Sequence, residues 1–109
     1  MPNNFKLKTV NNIGTSDSDV YTVPSATSTT VIGMNLANTT SSAITADITL
    51  ARTSLPNVNI VKSAPIPVGS SLVAIGGDQK LVMEASDVIK VKSSAATSID
   101  VALSILEIT

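Results

Sequence analysis

Apolar and polar residues alternate with a period of two along most of the chain, the spacing of strands that bury one face and wet the other. The clearest case is "ITADITLA", where Ile44, Ala46, Ile48 and Leu50 share one side and Thr45, Asp47 and Thr49 the other. In "TTVIGMNLAN" a strict period of two groups Ile32, Met34 and Leu36, and leaves Val31, Gly33, Asn35 and Ala37 opposite them. The polar link "NTTSSA" predicts that these two strands form a hairpin. "SIDVALSILEI" repeats the pattern with Ile99, Val101, Leu103 and Ile105, and "SDVIKVKSS" sets Ile89 and Val91 against Lys90 and Lys92.

Shorter strands are predicted at Phe5–Val10, at Val20–Val23 before Pro24, and at "NVNIVK" after Pro56. "NNIGTSDSD" reads as a loop, and the two prolines of "APIPVG" favour an extended crossover over a central strand. In "SSLVAIGGDQKLVME", Gly76, Gly77 and Asp78 form the turn of a second predicted hairpin, since tight connections need positive φ and glycine reaches it freely. No helical stripe persists along the chain. The expectation is all-β: a single β-sandwich domain over residues 1–109, of about eight or nine strands, immunoglobulin-like or jelly-roll in type. Residues 1–12 form either its edge strand or an extended arm exchanged with a neighbour.

Composition narrows the chemistry. Histidine and cysteine are absent, which removes the usual general base, the thiol nucleophile and nearly every zinc ligand set, so no catalytic, cofactor or metal site is assigned. Asp17 and Asp19 of "SDSD" are the nearest approach to a calcium loop but lack the further acidic ligands. Glu84 with Asp87, or Asp100 with Glu107, are the carboxylate pairs a glycosidase would need, each at a position where a solvated charge is expected. Lys80, Lys90 and Lys92 read as one solubilising stripe. With Phe5 and Tyr21 the only aromatics, a carbohydrate-binding module would have little to stack on beyond a Tyr21-lined groove, and Tyr21 reads as a core anchor with its hydroxyl on a backbone partner. A net charge of −1 with no basic block speaks against nucleic acid, and no apolar run reaches a membrane span. The N-terminus lacks a signal-peptide pattern. Ser, Thr and Asn contribute 36 of 109 residues, so the solvent side is rich in hydroxyls and amides and weakly charged.

"VYTVPSATSTTVIGMNLAN", followed by "APIPVGSSLVAIGGDQKLVMEASDVIKVKSSAATSIDVALSILEI", resembles a class of small virion proteins of tailed bacteriophages, marine and cyanobacterial ones especially. The shared pieces are a "VYTVP" strand, a "TVIGMNLAN" strand, a "PIPxGSSL" crossover, a "GG-x-QK" turn, a "D-x-I-x-VKS" strand and a "SIDVxLSILEI" terminus, together spanning Val20 to Ile108. The resemblance implies a non-enzymatic particle component found in the virion. Foremost is a capsid decoration (cement) protein that binds the major capsid protein as a homo-oligomer, such as a trimer; a neck, tail or fibre-associated protein comes second. Interface candidates are apolar residues left outside the predicted core: Val31, Leu55, Val61, Val73 and Leu106.

Overall fold

Among the described residues the alternation is realised as nine antiparallel strands in two packed sheets. The computed structural model describes residues 3–76 and 79–109. The strands are β1 (Asn3–Ile13), β2 (Ser18–Thr22), β3 (Ser28–Asn38), β4 (Ile44–Ala51), β5 (Val58–Ile66), β6 (Ser71–Ile75), β7 (Leu81–Met83), β8 (Val88–Ser93) and β9 (Ile99–Ile108). The larger sheet runs β1-β9-β3-β6, with β7 also pairing β3, and the smaller runs β2-β8-β4-β5.

These pairings are nested. β4 pairs β5, β3 pairs β6 and β7, β2 pairs β8, and β1 pairs β9, as in one long hairpin wrapped around itself. β9 then closes on β3, and β8 on β4. With β6 and β7 taken as a single interrupted strand, this is jelly-roll connectivity in a β-sandwich.

Nesting corrects both hairpins expected from the sequence. β3 and β4 lie in different sheets, so "NTTSSA" carries the chain across the sandwich. Buried Asn38 organises that crossing: its amide donates to the carbonyls of Ser42 (2.8 Å) and Ile66 (3.0 Å), and its oxygen accepts from the Thr40 amide (2.9 Å). β6 and β7 pair with β3 rather than with each other, lying end to end along one edge. The Gln79 amide does donate to the Gly76 carbonyl at 3.1 Å, while Gly77 and Asp78 of the expected turn lie outside the described residues. Hydrophobic alternation reports which face a residue takes and not which strand lies beside it, so both local pairings were plausible and both lost to a distant partner.

A β-bulge in β3 corrects the assignment of its faces. The pairing with β9 shifts between Val31 and Gly33, so two residues of β3 occupy the place of one. Thr29 and Val31 therefore point inward before the bulge, and Met34 and Leu36 after it. Val31, expected on the outer side, is fully buried; Ile32, expected inside, is half-exposed. The core between the sheets is aliphatic, with Leu36, Ile48, Ile66, Met83, Ile89, Leu103 and Ile105 at or near zero exposure. Ile13, within a stretch read as loop, also belongs to this core. β1 carries on through a register shift at Asn11 and Asn12, with Asn12 at a φ of 57°, a left-handed conformation asparagine tolerates better than most residues.

Candidate functional site

The nominated charged residues fall into separate pairs across the fold, with Glu84 and Asp87 meeting on Arg52. Asp100 faces outward and Glu107 inward on β9, seven residues and about 23 Å apart along the strand. Glu107 is buried rather than solvated. It pairs with Lys6 at 2.8 Å and accepts a short hydrogen bond from the Tyr21 hydroxyl, which also lies 2.9 Å from the Thr29 hydroxyl. The Lys6 hydrogen bond, then that of Tyr21, holds the Glu107 carboxyl below its ordinary range. Burial, then the hydrogen bond to Glu107, pushes the Tyr21 phenol up to about 12. Tyr21 anchors the core as expected, but its partners are side chains, and a ring only 6 % exposed offers no sugar-stacking groove.

Asp87 is likewise buried. It accepts from the Glu84 amide at 2.9 Å and from Arg52 Nε at 3.3 Å, and Arg52 also binds Glu84, so this pair holds a turn in place. Asp19 pairs with Lys90 at 2.6 Å. Among the described residues no three acidic side chains come together as a metal site would require. Lys90 and Lys92 lie on the smaller sheet, whereas Lys80 lies in the β6–β7 link of the larger, so the three do not form one stripe.

The outer faces of the two sheets differ in kind. On the smaller sheet, Asp19 with Lys90, and Asp47 between Lys62 and Lys92 (3.8 Å each), make a charged, hydrated surface. On the larger sheet the register places Phe5, Leu106, Thr30 and Val82 in one row across β1, β9, β3 and β7. Beyond it Leu7, Ser104 and Gly33 form a second row, and Thr9, Ala102, Asn35 and Val73 a third. Of the strand residues on this face only Asp100, at one end, is ionisable. Phe5 is 76 % exposed, Val73 67 %, and Leu7 and Val82 64 % each. These exposed apolar side chains lie on one face, with Leu106, Thr30 and other small or polar residues between them.

β1 builds this face through an inverted pattern. Lys6 turns inward to Glu107, and Lys8 lies 6.0 Å from the Tyr21 ring centre, which leaves Phe5 and Leu7 pointing away from the core. Alternation alone puts the apolar set of a strand inside; the buried carboxylate of Glu107 reverses that choice. From the third row onward the face dips into an open groove of about 720 Å³, with Ala37 and Ala102 as its small residues and Thr9, Asn11, Asn35 and Asp100 around them.

Of the five interface candidates, Val73 and Leu106 belong to this face. Val31 is in the core, Val61 is half-buried against the core in β5, and Leu55 is exposed in the β4–β5 loop away from the others. Phe5, Leu7 and Val82 were missed because their strands read as ordinary half-buried ones; the lysines alternating with Phe5 and Leu7 were the available signal.

Fold and surface together define an antiparallel jelly-roll β-sandwich with one charged and one apolar outer face. The chain matches no protein-family model, no curated protein sequence and no solved structure.

Proposed function

We propose that this chain is a non-enzymatic structural component of a bacteriophage particle, and within that class a capsid decoration protein of the assembled head. The observation that carries a structural role is the outer face of the larger sheet: apolar, nearly uncharged and open to contact. Subunits of a particle work through such surfaces, and a face with one ionisable side chain among its described strand residues meets a neighbour there with little desolvation penalty. The phage assignment within that role is supported by the sequence resemblance over Val20 to Ile108. Jelly rolls are frequent in viral capsids but also occur in lectins and enzymes, so the fold adds consistency and not identity. A structural role is also consistent with the ion pairs of Asp19, Asp47, Asp87 and Glu107, each engaged with a lysine or arginine.

The test is the copy number and position of the chain in purified virions, by quantitative mass spectrometry with antibody labelling under the electron microscope. Many copies over the head are expected. A few copies at one vertex would move the chain to the neck or tail, and its absence from particles would overturn the proposal.

A further inference from the structure

We infer that the outer face of the larger sheet binds a second copy of this chain, forming a two-fold, face-to-face dimer. The inference uses the same face that carries the structural reading above but does not require that the chain belong to a virion.

The free edges of the sandwich are poorly suited to association. β5 carries Pro65 and two register shifts, β2 is five residues long, and the β6–β7 edge is interrupted. β1 is long, but Lys6 and Lys8 face inward along it, and inward charges are a recognised block to edge pairing. Association by strand addition is thus disfavoured, and the apolar face is left as the adhesive surface.

The size of the face suits a dimer. Four strand positions at about 4.8 Å and a ten-residue β9 at about 3.4 Å per residue give a footprint of roughly 600 Å² per copy, or about 1,200 Å² for a pair. That meets the lower bound of about 1,200 Å² for stable, specific interfaces. An isologous contact also requires one patch to complement itself. The row of Phe5, Leu106 and Val82 lies on one side of Ser104, and the groove around Ala37 and Ala102 on the other. A two-fold axis lying in the interface, and crossing the strands at Leu7, Ser104 and Gly33, carries each copy's apolar row into the other's groove. Phe5 then meets the Thr9 level of its mate, and Leu106 meets Ala102. Ser104 and Gly33, both small, lie on the axis and let the sheets approach to about 10 Å. Each Asp100 falls four residues from the axis, so the two carboxylates sit about 27 Å apart along the strands, well beyond the screening length of about 10 Å.

The test uses the purified full-length protein in analytical ultracentrifugation over a wide concentration range. The expected species has twice the chain mass. Phe5→Asp, on the apolar row, and Ala102→Arg, in the groove, should each give a monomer with unchanged circular dichroism, while Thr49→Arg on the smaller sheet should leave the dimer intact. Spin labels at Ser104→Cys should report a short inter-copy distance and labels at Asp100→Cys a long one; the chain has no native cysteine to interfere. A monomer at every concentration, a trimer, or a dimer that survives both face variants would overturn the inference. So would a monomer that loads onto phage heads through Phe5 and Ala102, which would give the face to the capsid protein.

Discussion

The side-chain amide of Asn38 donates to the carbonyl oxygen of Ile66 at 3.0 Å, across 28 residues of sequence. Asn38 ends β3, where the chain leaves the larger sheet, and Ile66 ends β5, where the chain returns to it. One buried amide therefore ties two inter-sheet crossings together, with Ser42 and Pro67 as further acceptors. Asn38→Ala should cost about 2–3 kcal/mol, because carbonyls held away from water lose their donor. Asn38→Asp should cost at least as much at neutral pH and recover in part on acidification, when a protonated carboxyl can donate again. Urea unfolding of the two variants at neutral and acidic pH measures both effects, and a neutral Asn38→Ala would show that water replaces the amide.

Tyr21 is the chain's single tyrosine and there is no tryptophan, so its ionisation can be followed directly by ultraviolet absorbance. The phenol should titrate near 12, not near its ordinary value of 10. Since the folded pKa is the higher one, Tyr21 stabilises fully below about 10, and that contribution fades as pH rises from about 10 toward about 12. A normal titration midpoint in folded protein would contradict the burial and the Glu107 hydrogen bond.

Glu107 behaves in the opposite sense at the acid end. Its folded pKa lies below the ordinary 4.5, so its contribution is complete above that value and is lost as pH falls through the lower, folded one. Glu107→Gln should be less stable than the parent at pH 7, where Lys6 loses its anionic partner, and the gap should narrow on acidification below 4.5. Denaturant midpoints of parent and variant across that range supply the measurement. A gap independent of pH would mean that the Lys6 pairing adds nothing.

The β3 bulge makes an unusual deletion tolerable. Without Ile32, Val31 still opposes Ile105 and Gly33 still opposes Ser104, and both halves of the strand keep their inward faces. That deletion should fold, with a loss of about 1–2 kcal/mol from one half-buried isoleucine. Deleting Asn35 instead turns Leu36 and Asn38 outward and should prevent folding. Thermal melts followed by circular dichroism distinguish the two deletions.

Two valines allotted the same role by pattern should respond differently. Val31→Asp places a charge in a fully buried site between Thr29 and Met34 and should abolish folding, whereas Val73→Asp, 67 % exposed on the outer face, should leave the fold of the single chain within about 0.5 kcal/mol when melted at concentrations too low for dimers. Soluble expression and melting temperature provide the readout.

What the sequence determined by itself is the central part of most strands, though not the continuation of β1 to Ile13 or of β5 through Pro65 to Ile66, and, where the period of two runs unbroken, which face is buried. In β4, β8 and β9 the inward sets Ile44 to Leu50, Ile89 with Val91, and Ile99 to Ile105 are legible from alternation alone, because one-sided burial imposes that period whatever the neighbouring strand is. The tertiary structure decided everything that depends on a distant partner. Nested pairing replaced the hairpins, a bulge against β9 exchanged the places of Val31 and Ile32, and buried Glu107 drew Lys6 inward and sent Phe5 and Leu7 out. The exposed apolar face arises from the last of these. Its residues come from β1, β3, β6, β7 and β9, each unremarkable along the chain, and only the register between strands brings them side by side.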